Sequence, residues 1–137
     1  MTNPNDYNRQ IIDEFRANGG KVGGNFEGRS MLLLSSTGAK SGQLRTTPLV
    51  CLPDDDRWLI FASKAGAPTN PAWYHNLVAH PEATAEVGTE TIAVRATVIP
   101  GEERDRLYAR QAALLPAFAE YEAKTSRRIP VVALERR

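Results

Sequence analysis

From Met31 to Ala62 the chain strings together short apolar runs across turns only a few residues long. Met31-Leu32-Leu33-Leu34 is the first run, Arg45 to Leu52 the second, interrupted by Pro48, and Arg57 to Ala62 the third. The connections, Thr37 to Gly42 and Pro53 to Asp56, carry the Gly, Asp, Ser and Pro residues that favour turns. They are too short for the crossover that a parallel return needs, so these strands read as an antiparallel meander. The rest of the chain follows suit. Two further strands are predicted near Ala83 to Val87 and Thr91 to Ile99, and a last one over Ile129 to Leu134. No strand–helix–strand alternation is present, which argues against a doubly wound sheet. Five or six antiparallel strands with helices inserted between them point to a small barrel.

The helices are marked by their own signals. Tyr7, Ile11 and Phe15 recur at helical spacing within Asp6 to Asn18, and Gly19-Gly20 ends the run. Asn70-Pro71 reads as a cap and first-turn proline for a helix through Leu77. Pro100 with Glu102-Glu103 opens another helix reaching about Leu115; Pro116 breaks it, and a shorter piece covers Ala117 to Lys124. The 137 residues, 1–137, are expected to form a single domain.

Composition excludes several classes of function. A formal charge of +1 leaves no concentrated basic face for nucleic acid. No stretch approaches the roughly 18 apolar residues of a membrane span. The N-terminal MTNPNDYNRQ lacks the apolar core of a secretory signal. The single cysteine, Cys51, allows no internal disulfide, which fits a reducing compartment and a cytoplasmic protein. Peripheral contact with a membrane and a weak homodimer stay compatible with the chain. Gly19 to Gly24 lacks the spacing of a P-loop and follows a helix rather than a strand, so it is not a dinucleotide fingerprint. The two histidines, His75 and His80, are spaced five apart and do not share a helix face, so no metal is expected. Cys51 reads as a small core residue, and Asp54-Asp55-Asp56 as a solvated turn.

Two segments could carry chemistry. In Thr37 to Pro48, Lys40 sits in the turn and Arg45 opens the returning strand. A glycine-containing turn can form an anion nest, and a Lys and an Arg would reinforce it. In Ala62 to Tyr74, a strand end delivers Ser63 and Lys64, a helix N-terminus follows, and Trp73 and Tyr74 could wall a flat ring. On composition alone, solvated charges explain the first segment more simply, and a core-anchoring Trp73 explains the second equally well. Arg127-Arg128 reads either as surface charge or as a tail-binding pair.

Taken together, TGAKSGQLRTTPL, ASKAGAPTNPAWYHNL and TSRRIPVVALE resemble, in order, the deazaflavin-dependent nitroreductase family, actinobacterial relatives of the FMN-binding split β-barrel proteins. The resemblance runs from about Arg29 to Glu135. It implies a mainly β split barrel and an oxidoreductase passing a hydride from reduced coenzyme F(420), an 8-hydroxy-5-deazaflavin, to an organic acceptor. Quinones, nitro compounds and other activated unsaturated molecules are the acceptors it implies. It puts Lys40 and Arg45 on the cofactor's phosphate and polyglutamate tail. It adds Pro48, Ser63, Lys64, Asn70, Trp73 and Tyr74 around the cofactor. Ser63 is the candidate for polarising the ring or the acceptor, and Tyr121 for a wall or proton source. The best-known nitroreductase has a run of tyrosines where this chain has Leu115 to Tyr121. Only Tyr121 matches, so Leu115 and Phe118 imply an apolar substrate pocket, and nitro-drug activation is not carried over. The rivals are an FMN-dependent oxidoreductase on the same barrel and a non-catalytic carrier of a cofactor or a lipid.

Overall fold

The computed structural model describes residues 4–137; the first three residues of the polar N-terminal stretch lie outside it. The element order is α1 (Pro4–Ala17), β1 (Met31–Thr37), β2 (Leu44–Asp54), β3 (Arg57–Phe61), α2 (Ala72–Ala79), β4 (Glu82–Val87), β5 (Glu90–Ile99), α3 (Gly101–Leu114), α4 (Ala117–Lys124) and β6 (Val131–Arg136). The six strands close into a barrel in the order β1-β2-β3-β6-β5-β4, every pair antiparallel. No helix among the described residues is long and apolar enough to cross a membrane.

Strand alternation sorts the side chains into three cores. Alternate residues of all six strands meet inside the barrel, among them Leu32, Leu34, Trp58, Ile60, Val94 and Leu134, and α2 plugs one end with Trp73 and Leu77. The other face of β3 and β6, with Leu59, Phe61, Val131 and Ala133, is covered by Leu107 and Tyr108 of α3 and Phe118 of α4. The outer face of β1, Met31 and Leu33, is covered by Ile11 and Phe15 of α1. Strands β1, β3 and β6 are therefore buried on both faces, which is why their sequences are continuous apolar runs. Strand β5, open to solvent on one face, alternates instead, with Ile92 and Val94 buried and Ala93 and Arg95 exposed.

Two sequence expectations change at this level. Tyr7 lies on the same side of α1 as Ile11, beside Val22 and Phe26, but unlike Ile11 and Phe15 it is 46% exposed rather than buried. The Asp54 turn is not simply solvated. Asp54 accepts from Arg57 Nε and from Arg110 Nη1 of α3, each at 2.9 Å, tying the β2–β3 turn to that helix. Those hydrogen bonds, from Arg110 and then Arg57, hold its carboxyl below the ordinary value. A lowered folded pKa stabilises above the unfolded pKa and is lost as pH falls through the folded one. Asp54→Asn is therefore expected to cost about 1 kcal/mol at neutral pH. The difference from the parent should shrink as pH falls through and below about 4. Denaturant unfolding at neutral and acid pH checks this, and a pH-independent difference would contradict it.

Strand β2 changes partner midway. Leu44–Val50 pair with β1, and only Cys51–Asp54 pair with β3. The second edge of the first half is left without a ladder to β3, and Pro48, which has no N–H to donate, stands within it.

Candidate functional site

An open cleft of about 1120 Å³ lies at that edge, between α1, the β1–β2 turn with the start of β2, and α2. Arg9 and Arg16 enter from α1, Lys40 and Arg45 from the turn and β2, and Trp73, His75 and Asn76 from α2. Those four cations face a single lining carboxylate, Asp13. Arg16 is held to Glu86 of β4 by two hydrogen bonds of 3.0 and 2.7 Å, which fixes its position and raises its pKa. Among the described residues Lys40 and Arg45 take part in no ion pair. A cleft with surplus, unneutralised positive charge favours an anionic ligand.

The turn itself is already occupied. Gly38 donates to the Gln43 carbonyl (2.8 Å), Gly42 to the Gly38 carbonyl (3.0 Å), Gln43 to Ser41 Oγ (3.2 Å), and Ala39 to Asn76 Oδ1 of α2 (2.9 Å). Four amides that a nest would offer are thus committed to the fold, so the attraction for an anion comes mainly from side chains. The Ala39–Asn76 bond also locks the Lys40 turn to α2.

The predicted residues are partly brought together. Lys40, Arg45 and Trp73 line one cleft. Trp73 is only 6% exposed and also belongs to the barrel core, so the core and cleft roles coincide. Tyr74, half-buried, packs against the same core but is not among the lining residues. Pro48, Ser63, Lys64 and Asn70 also stand outside the lining. Ser63 is buried, and Lys64 Nζ donates to Thr69 Oγ1 at 3.3 Å in the loop that leads into α2. Asn70 does not cap α2, which starts at Ala72 behind Pro71 with no side-chain cap; its Oδ1 accepts from Arg127 Nη1 instead.

Leu115, Phe118 and Tyr121 are not among these lining residues and pack in the core under α3 and α4. Phe118 is 7% exposed and meets Phe61, Tyr108 and Tyr121 edge-on, with centroids 5.7, 6.3 and 5.3 Å away. Its carbonyl accepts the Tyr108 hydroxyl at 2.6 Å. Cys51 is buried in the barrel, and burial pushes its thiol up to about 12, which leaves it inert as a nucleophile at neutral pH. Among the described residues no group of three or more His, Cys, Asp or Glu is placed to hold a metal.

Sequence reasoning missed Arg9 and Arg16. The signal was present: positions 9, 13 and 16 recur at i, i+4 and i+7, so they form one polar stripe beside the buried Ile11–Phe15 face. Nothing local says that this stripe faces Lys40 and Arg45.

Comparison with known proteins adds a consistent result. The family model described as "F420H(2)-dependent quinone reductase" matches residues 7–136. An F420H(2)-dependent quinone reductase of Mycobacterium tuberculosis is 41% identical over 129 residues, covering 90% of this chain and 85% of that protein. A solved F420-H2 dependent reductase, FDR-A, superposes with a TM-score of 0.72 at 36% identity, covering 78% of this chain and 95% of the other. A chain solved as a domain-swapped dimer gives 0.73 at 33% identity, covering 97% of this chain and 100% of the other.

Proposed function

Because this chain belongs to the F420H(2)-dependent quinone reductase family, we propose that its cationic cleft holds the anionic tail of reduced coenzyme F(420) and that the barrel presents the cofactor to a quinone. The observation that carries this reading is the convergence of Arg9, Arg16, Lys40 and Arg45 on one open cleft whose lining holds one carboxylate, Asp13; even with Arg16 paired to Glu86, positive charge is in excess. The residues suit such a group: a polyanionic tail needs several cations in a row, and a ring needs a partly apolar wall, which the exposed edge of Trp73 supplies. Lys40 and Arg45 would hold the phosphate and polyglutamate tail, and Arg9 and Arg16 extend the positive track along α1.

When bound, the reduced deazaflavin supplies the hydride that an acceptor takes up. The chain's own work is to bind, orient and provide a proton, so it needs no nucleophile. Ser63, on the loop joined to α2, donates a hydrogen bond to the ring or acceptor. Tyr121, on the helix behind that loop, walls the acceptor side or supplies the proton. Pro48, Lys64, Asn70 and Tyr74 frame the cofactor between β2 and α2. Leu115 and Phe118 form the apolar backing of the acceptor side, which favours quinones over nitro compounds. The protein works in the cytoplasm, meets membrane-borne quinones from the surface, and self-associates weakly.

Fluorescence titration of the purified protein with the deazaflavin and with FMN tests this. The deazaflavin is expected to bind more tightly, since its tail offers more negative charge to the cleft. Equal or tighter FMN binding would favour the FMN enzyme. Deazaflavin binding without turnover of any quinone would favour a carrier.

A further inference from the structure

Arg127, ambiguous in the sequence between surface charge and tail ligand, takes neither position. It is half-buried, it does not line the cleft, and its guanidinium is spent on one loop. Nη2 donates to the carbonyls of Ala62 (3.0 Å) and Ser63 (2.9 Å), Nε to the carbonyl of Ala67 (2.9 Å), and Nη1 to Asn70 Oδ1 (2.7 Å). The acceptors stand at both ends of the segment between β3 and α2. The neighbouring Arg128 turns elsewhere, to the Gly101 carbonyl and Asp105 of α3.

Between those ends the backbone is left-handed at three successive residues, Lys64 (φ 46°), Ala65 (φ 53°) and Gly66 (φ 81°). Two of them carry side chains, for which this conformation is unfavourable and persists only where the surroundings enforce it. Gly66 is pressed against α4: a Cβ there would come within 3.0 Å of the Tyr121 carbonyl and 3.1 Å of the Lys124 side chain. Arg127 supplies a second constraint, through its four hydrogen bonds to residues on either side of these three. A planar fork with donors in fixed directions can satisfy four acceptors at once, which an ammonium on a flexible stem does not.

The loop runs directly into α2. That helix carries Trp73, His75 and Asn76 on the cleft, and Asn76 in turn holds the turn that bears Lys40. We infer that Arg127 is a positioning residue for the cofactor cleft, acting through the loop from Ala62 to Asn70 and through α2. The inference rests on reading the cleft as the cofactor site, and goes beyond it by assigning a determinant outside that site.

The test compares Arg127→Ala and Arg127→Lys with Lys40→Ala. In the cofactor-free protein, amide hydrogen exchange across residues 63–76 and at Ala39 should quicken by about tenfold or more in Arg127→Ala, and clearly in Arg127→Lys, while β5 and β6 keep parental rates. In deazaflavin titrations both Arg127 variants should bind about tenfold more weakly with the parental salt dependence, whereas Lys40→Ala flattens that dependence. Guanidinium ion at sub-denaturing concentration should restore affinity to Arg127→Ala and not to Lys40→Ala. Parental exchange in the loop overturns the assignment, as does acceleration spread evenly over the barrel, which would make Arg127 a general stability residue. Parental affinity in Arg127→Lys also overturns it, because charge alone would then suffice. Should Arg127→Ala fail to fold, the lysine variant decides. If the parent binds no deazaflavin, the reading of the cleft falls, while the exchange data still decide whether Arg127 holds the loop.

Discussion

Replacing Lys40 and Arg45 together with alanine is expected to weaken binding of reduced coenzyme F(420) by about a hundredfold or more. A hydrogen bond to a charged group is worth roughly 1.5–3 kcal/mol, so each residue accounts for about tenfold or more. Both side chains line the cleft and lack internal ion-pair partners among the described residues, so no protein contact has to be broken before an anion is met. The fold should be indifferent, since both residues are exposed. Salt is the second readout. Screening at about 0.1 M already shortens the reach of exposed charges to about 10 Å. The parent should therefore lose affinity steeply as salt rises, and the double variant only shallowly. Unchanged affinity in the double variant would remove both residues from the site. Arg9 and Arg16 would then be the next pair to examine.

Trp73→Ala is expected to remove a large share of the folding free energy and cofactor binding with it. Truncating a buried tryptophan costs about 3–5 kcal/mol, against a total of about 5–15 kcal/mol for a domain of ordinary stability. Trp73 plugs the end of the barrel with Leu77, so the cavity would open into the middle of the core rather than at its margin. The same side chain forms part of the cleft wall. Trp73→Phe separates the two consequences. It keeps an aromatic plug and should lose far less stability, while changing the edge presented to the cofactor. Denaturant unfolding and deazaflavin titration of both variants measure the pair. A loss below about 1 kcal/mol in Trp73→Ala would mean that the barrel closes without it.

How much of this was legible beforehand differs between the elements and the site. Strands β1, β2 and β3, helix α4 and the break at Pro116 could be read locally, because period, turn residues and proline act over a few residues at a time. The resemblance in three ordered blocks carried the fold class and the cofactor. Local signals also pointed to Lys40, Arg45 and Trp73, which share one cleft. They misled at Asn70, whose apparent capping role is displaced by Arg127, 57 residues away in the chain. They misled again at Asp54, whose carboxylate is claimed by Arg110 across 56 residues.

Closure is the step that no local pattern encodes. Strand β6 lies between β3 and β5, and β1 pairs with both β2 and β4, so the barrel is completed by contacts between distant parts of the chain. Closure determines which faces are covered twice. It places the basic stripe of α1 opposite the Lys40 turn, and it seats Phe118 in an aromatic core rather than on the cleft lining. The amino-acid order alone dictated the strands, the turns and the positive charges in the β1–β2 segment, since these depend on backbone preference and side-chain type. Tertiary structure alone decided that four cations share one cleft and that a distant guanidinium holds a left-handed loop. Charge and hydrogen-bonding capacity belong to single residues, but a site is a distance between them, and that distance exists only once the barrel has closed.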